Sequence, residues 1–167
     1  MTSTTQKVAT ASASVPKPAG FRITADTAGF VSPSGRIWCG MTMEGVTCMF
    51  PQGMNRAGVP SGRTACPGAW PDFDVNAMYL ADAVTFACQE DPPSLPFPGQ
   101  PDAAWAVGSG YPYVTLMGQP VPTLPYGYSL RLGRFNCESE TTGMTCTNLL
   151  NGKGFRVAIA GATKIGG

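Results

Sequence analysis

A cysteine-bearing segment occurs twice in the chain, at an offset of 98 residues. Six of the fourteen aligned positions are identical, and the spacing between the two cysteines is the same in both copies. Such agreement within one short chain indicates the internal duplication of a β-hairpin. The first copy contains Gly35-Arg36-Ile37-Trp38-Cys39 and Gly45-Val46-Thr47-Cys48, and the second contains Gly133-Arg134-Phe135-Asn136-Cys137 and Gly143-Met144-Thr145-Cys146.

Each copy predicts a hairpin closed by its own disulfide, Cys39 with Cys48 and Cys137 with Cys146. Directly opposed residues of an antiparallel pair come close enough for a bridge at a non-hydrogen-bonded position, so the disulfide sets the register. A glycine ends each predicted loop, and we expect it to adopt the left-handed conformation that glycine takes without steric cost.

The remaining cysteines, Cys66 and Cys88, are expected to pair by elimination. None of the six cysteines forms a C-x2-C motif, which disfavours zinc ribbons and thioredoxin-like redox sites. An even number of cysteines in a chain with 21 glycines and 16 prolines favours a disulfide framework instead.

Alternation within the two hairpins predicts one buried face and one exposed face. In the second copy the opposite face is polar, whereas in the first copy it carries Trp38 and Met49. Trp38 is therefore a candidate contact residue, although cover by the proline-rich segment explains it equally well. The predicted inward residues are Ile37, Cys39, Met41, Val46, Cys48, Phe50, Phe135, Cys137, Met144 and Cys146.

The segment between the hairpins predicts two strands, at 75–80 and 84–88, and then a long proline-rich loop. Nine of the 34 residues from Pro92 to Pro125 are proline, which excludes a long helix or a central strand. One short strand is expected at 113–117. The aromatic residues of this region either form a stacking platform for a partner or seal an edge of the core. The candidate binding residues are Trp38, Trp105, Tyr111, Tyr113, Tyr126 and Tyr128.

These patterns predict an all-β fold: a small disulfide-bonded barrel or sandwich of antiparallel hairpins, with a long proline-rich loop and little helix. Residues 1–20, rich in Ser, Thr, Ala and Pro, are expected to form a flexible tail or tether. One β domain is expected at 21–160, containing the duplicated hairpin (35–48 and 133–146). Residues 161–167 are expected to fray.

The composition argues against several classes of site. The chain has no histidine, which excludes Ser-His-Asp and Cys-His nucleophiles and zinc sites that use imidazole. Adjacent carboxylates such as Glu90 and Asp91 are interpreted as solvated loop charges. We therefore expect no catalytic residue, metal or cofactor, and a net charge of +1 predicts no nucleic-acid partner. No apolar run is long enough to predict a membrane span.

Five motifs resemble a group of small exported proteins and lipoproteins of actinobacteria, including mycobacteria. The opening Phe30-Val31-Ser32-Pro33-Ser34-Gly35-Arg36-Ile37-Trp38-Cys39 is similar to that group's F-x-S-P-S-G-N-I-x-C pattern, and the likeness extends over residues 30–157. Arg36 replaces the usual Asn, Lys153 stands where His is common, and the aromatic ending is absent. The other motifs are Phe86-Ala87-Cys88-Gln89-Glu90-Asp91, Leu124-Pro125-Tyr126-Gly127, Gly143-Met144-Thr145-Cys146-Thr147-Asn148 and Gly152-Lys153-Gly154-Phe155.

The resemblance implies an extracytoplasmic protein, secreted or anchored to the envelope, and offers no catalytic residue. We expect a non-enzymatic structural or interaction module whose partner is protein, in an envelope complex or a particle. Two alternatives stay open: a surface or assembly protein of the virion of an actinobacterial phage, and a module that binds cell-wall glycan.

Overall fold

The computed structural model describes residues 25–69, 73–106 and 112–167. The predicted tail at 1–20 lies outside them. The described residues form strands, one short helix and one 3₁₀ helix (Pro101–Ala106). These elements are β1 (Thr27–Val31), β2 (Trp38–Thr42), β3 (Val46–Met49), α1 (Gly62–Ala65), β4 (Ala77–Leu80), β5 (Val84–Ala87), β6 (Tyr113–Leu116), β7 (Gln119–Pro122), β8 (Ser129–Leu132), β9 (Phe135–Glu140), β10 (Gly143–Asn148), β11 (Gly154–Ala158) and β12 (Gly161–Ile165).

Two five-stranded antiparallel sheets, each built from consecutive strands, dominate the fold. The first has the order β1-β2-β3-β4-β5, and the second has the order β12-β11-β10-β9-β8. The hairpin that is duplicated in the sequence provides the second and third strands of each sheet. The duplication therefore extends to a whole five-stranded meander, which is more than the sequence identity alone indicates.

The two sheets pack face to face as a sandwich, and neither closes into the alternative predicted barrel. The duplicated disulfides meet at the centre of the core, where the sulfur atoms of Cys48 and Cys146 lie 3.8 Å apart. Phe30, Phe135 and Phe155 are completely buried around them. Equivalent residues of the two copies thus contact each other across the sandwich.

Reciprocal contacts at the ends of the sheets extend this relation. The side chain of Asn148, the last residue of β10, donates a hydrogen bond to the carbonyl of Ala81 in the turn between β4 and β5 (2.8 Å). On the other side, the backbone N–H of Asn55, after β3, donates to the carbonyl of Ile159 in the turn between β11 and β12 (2.8 Å). In both cases the turn between the last two strands of one sheet accepts a hydrogen bond from the end of the third strand of the other sheet or from the segment after it, which indicates an approximate two-fold relation between the sheets. The two donors are not equivalent residues, since Asn148 corresponds to Phe50.

The structure contains the three predicted disulfides. They join Cys39 to Cys48, Cys66 to Cys88 and Cys137 to Cys146, and both hairpins have the predicted register, with paired cysteine Cα atoms 4.2 and 4.1 Å apart. The strands expected within 75–80, 84–88 and 113–117 are also present as β4, β5 and β6.

Two sequence predictions are wrong. Residues 161–165 do not fray, because they form β12 and pair along the whole of β11, from Gly161 opposite Ala158 to Ile165 opposite Gly154. The left-handed conformation expected at both loop glycines occurs at Gly143 but not at Gly45. At Gly45 the constraint is space, because an added Cβ atom would lie 2.8 Å from the carbonyl oxygen of Leu80.

The proline-rich segment lies on the outer face of the first sheet. Gly29 and Gly40 are opposed on β1 and β2, and their missing side chains leave room for Pro96 and Pro93. A second apolar cluster forms there, in which Leu95 and Val121 are buried together with Val31. The outer face of the first sheet is therefore largely covered, which determines where a partner has access.

Candidate functional site

Trp105 is part of the protein core and is not available as a surface contact. Its side chain is 5% exposed, and its indole N–H donates a 2.7 Å hydrogen bond to the carbonyl of Gly29. Its ring packs edge-on against Phe30, with centroids 6.4 Å apart. Trp105 therefore seals an edge of the core, which is the second of the two alternatives given above. Its prediction as a binding residue is wrong.

The four candidate tyrosines do not form one platform. Tyr113 and Tyr126 are exposed, but Tyr113 lies on β6 whereas Tyr126 lines a cleft at the end of the sandwich. Tyr128 is half-buried and packs against the main core. Tyr111 lies outside the described residues. The predicted stacking platform is thus divided among different parts of the molecule.

Trp38 occupies an intermediate position between core and surface. It lies on the outer face of β2, and its indole N–H donates a 2.9 Å hydrogen bond to the carbonyl of Gly35, which fixes the ring orientation. One part of the side chain packs against the second apolar cluster under the proline-rich segment. The rest lines an open cleft. Cover by the proline-rich segment therefore accounts for one part of the side chain, and the interpretation of Trp38 as a contact residue stays a prediction.

This cleft, which we call the Trp38 cleft, has a volume of about 750 Å³. Its lining is mainly apolar, and the polar side chains are those of Arg36 and Gln52. The guanidinium of Arg56 lies over the ring of Phe50, 5.9 Å from its centroid, and pairs with Asp74 at 3.0 Å. The lining residues are Gly35, Arg36, Trp38, Met49, Phe50, Gln52, Gly53 and Pro92.

The second copy of the repeat has no equivalent apolar surface. At the offset of 98, Trp38 corresponds to Asn136, and the next two lining residues, Met49 and Phe50, correspond to Thr147 and Asn148. The cysteines that support the two hairpins are the same in both copies. The two copies therefore have identical residues at the cysteine positions, which stabilise the hairpins, and different residues at the positions that form the cleft.

A second cleft, of about 540 Å³, adjoins the Trp38 cleft, and Arg36 lines both. We call it the Arg36 cleft. It contains Arg156, whose guanidinium donates a 2.6 Å hydrogen bond to the carbonyl of Thr142, and also the carboxylate of Glu140. Sequence reasoning missed this cleft because its residues come from distant segments. The one indication of it in the sequence is that the repeat places an arginine at both 36 and 134.

One carboxyl group has a perturbed titration. Asp102, in the 3₁₀ helix, has a pKa raised above its usual 3.8, mainly because burial removes water from the charged form, while a hydrogen bond from Ser94 acts in the opposite direction. Its Oδ1 atom is buried without a hydrogen bond to any described residue. Asp102 lies beside Gly29, on the covered face of the first sheet.

Within residues 25–69, 73–106 and 112–167, no three acidic or cysteine side chains are grouped closely enough to hold a metal ion. No helix in that part of the chain has the length and apolar character needed to cross a membrane. Comparisons with family models, curated proteins and solved structures return no match to this chain.

Proposed function

We propose that this protein is a non-enzymatic, extracytoplasmic interaction module that binds a segment of a partner protein in the Trp38 cleft. The observation that supports this most strongly is the difference between the two copies of the repeat. Trp38, Met49 and Phe50 create an apolar cleft on one hairpin, and the other hairpin has polar residues at the same positions. Aromatic residues and methionine are enriched where protein partners bind.

An extracytoplasmic location fits the covalent chemistry of the fold. Three disulfides are compatible with an oxidising compartment, and two of them are completely buried in the sandwich core. The resemblance to exported actinobacterial proteins and lipoproteins supports the same proposal. The partner then belongs to the cell envelope or, if the protein is carried by a phage, to the virion.

A protein segment suits the cleft better than a glycan does. Sugar recognition needs several polar side chains around a stacking ring, but the indole N–H of Trp38 is already bonded to Gly35. Among the residues that the structure describes, only Arg36 and Gln52 supply polar side chains to the lining. A peptide with apolar side chains needs fewer polar contacts than a sugar does. Its apolar side chains can pack against Met49, Phe50 and Pro92, which line the cleft.

Affinity capture with matched variants tests the proposal. Trp38→Asn gives the first hairpin the residue that the second already has, and Tyr113→Asn changes an exposed aromatic outside the cleft. From the native envelope or particle, the wild type and Tyr113→Asn should retain the same partner, and Trp38→Asn should lose it. With that partner purified, Trp38→Asn should weaken binding by about 30-fold, as expected for a central aromatic residue.

Unfolding measurements separate a lost contact from a lost fold, because Trp38 also packs against the second apolar cluster. The binding comparison is made at a temperature at which circular dichroism shows Trp38→Asn to be fully folded. Equal retention of the partner by folded Trp38→Asn and by the wild type would contradict the proposal.

A further inference from the structure

The arginine of the second repeat is held by two contacts within the chain. The guanidinium of Arg134 forms an ion pair with Asp82 at 2.8 Å, and it lies 5.0 Å from the centroid of the Phe135 ring. Asp82 belongs to the turn between β4 and β5 of the opposite sheet. The positive charge of Arg134 is therefore paired with a carboxylate of the opposite sheet, at the end of the sandwich.

Arg36, its counterpart in the first copy, lacks both contacts. Ile37 replaces the aromatic Phe135, and the turn that corresponds to the one bearing Asp82 consists of Ile159 and Ala160. Both turn residues line the Arg36 cleft together with Arg36 itself. Arg36 is exposed, and no ion pair joins it to any residue that the structure describes. The approximate two-fold relation thus leaves one arginine without the carboxylate that its equivalent has.

The surroundings of Arg36 suit an anion. Arg156 brings a second positive charge to the cleft, and four hydroxyl residues line it, although the Ser32 and Ser34 hydroxyls are already bonded to each other at 2.9 Å. Glu140 is the one acidic residue among the lining residues that the structure describes, and it is exposed and within 3.5 Å of the Thr142 hydroxyl. Two arginines against one glutamate leave the cleft positive. The hydroxyl residues are Ser32, Ser34, Thr141 and Thr142.

We infer that the partner segment carries an Asp or Glu side chain whose carboxylate binds Arg36 in the place that Asp82 takes at Arg134. This inference rests on the proposed function, since Arg36 lines both clefts and a segment lying beside Trp38 reaches it directly. Guanidinium and carboxylate form paired, charge-assisted hydrogen bonds, which give direction as well as affinity. The ligand class is an acidic peptide with an adjoining apolar residue.

A random linear peptide library, selected on the full disulfide-bonded protein, tests the inference. Selected sequences should contain an Asp or Glu next to apolar residues. For such a peptide, Arg36→Gln should weaken binding about tenfold, and exchange of the peptide's acid for its amide should have the same effect. The two changes together should weaken binding no more than either change alone. Higher ionic strength should weaken binding of the acidic peptide to the wild-type protein, and should have no such effect once either partner of the ion pair is removed.

Two further variants make the result specific. Arg134→Gln removes the equivalent arginine, already paired with Asp82, and should leave peptide affinity unchanged. Ala160→Asp places an acid in the turn that lacks one, and should reduce affinity as much as Arg36→Gln does by pairing with Arg36 inside the chain. Because Ala160 is exposed, this variant should fold.

The outcomes distinguish the two proposals. Peptides that lose affinity in Trp38→Asn but contain no acid, or bind Arg36→Gln as well as the wild type, overturn the inference and leave the proposed function intact. Peptides indifferent to both residues, or failure to enrich any peptide, overturn both.

Discussion

Replacement of Trp105 tests whether the proline-rich segment is packed onto the fold by this side chain. Trp105 is 5% exposed, contacts Phe30 edge-on and donates to the Gly29 carbonyl at 2.7 Å. Truncating a buried aromatic side chain to Ala costs about 3–5 kcal/mol, so Trp105→Ala should lose that amount of unfolding free energy. For a domain of this size the melting temperature should fall by roughly 10 °C.

The variant Trp105→Phe separates the hydrogen bond from the packing. It keeps a ring beside Phe30 but removes the N–H group, which leaves the carbonyl of Gly29 on β1 without this donor. An unsatisfied buried carbonyl costs about 1–3 kcal/mol, so Trp105→Phe should be destabilised less than Trp105→Ala.

Urea unfolding followed by far-UV circular dichroism, with the disulfides intact, measures both free energies by linear extrapolation. Peptide binding at the Trp38 cleft should be unchanged in folded Trp105→Phe. If Trp105→Ala lies within about 0.5 kcal/mol of the wild type, which is the ordinary range for a surface substitution, Trp105 is not a core residue and the assignment fails.

Three other predictions concern the core, a turn and a titration. Gly45→Ala should cost about 1–3 kcal/mol in thermal unfolding, because the new Cβ atom would lie 2.7 Å from the Tyr79 hydroxyl oxygen; an unchanged melting temperature would refute this. Replacing Cys137 and Cys146 together by Ala should cost about 4 kcal/mol, of which the ring-closure model supplies about 2.7 and loss of two buried sulfur atoms the rest. The half-buried third disulfide should cost about the same, because its longer loop gives about 3.4 kcal/mol in the same model while its sulfur atoms lose less burial. A urea midpoint for the variant without Cys137 and Cys146 that lies well above that of the variant without Cys66 and Cys88 would contradict the burial argument. Since the folded-state pKa of Asp102 is raised, the folded form holds its proton more tightly, so stability should fall as pH rises above the usual 3.8 through the folded-state value. Asp102→Asn should lack this decline in a pH series of melting temperatures, and parallel curves for the two proteins would refute it.

The sequence predicts most where one constraint repeats. Two cysteine pairs with the same spacing determine the register of both central hairpins, because a disulfide between opposed strands tolerates little displacement. The strand β12 was missed since a glycine-bounded segment has weak intrinsic preference, and pairing with β11 is what orders it. The contact between Trp105 and Gly29, 76 residues apart, has no local signal.

The candidate site was predictable only in part. Trp38 was identified from the face of β2 on which it lies, but the cleft also depends on Pro92 and on Gln52, which follow other strands. The role proposed for Arg36 depends on a turn of the opposite sheet that has no carboxylate. The exposure of Arg36 points to a ligand only when it is compared with Arg134, which forms an ion pair with Asp82. Contacts of this kind are set by how the two sheets pack together.

Binding of a partner segment in the Trp38 cleft can be mapped by the amide chemical-shift changes of the ¹⁵N-labelled protein when that segment is added. We expect the largest changes at 35–39 and 49–53, with smaller ones at the turn of Ile159 and Ala160 beside Arg36. Changes confined to β8 and the outer edge of β12, with none around Trp38, would contradict it.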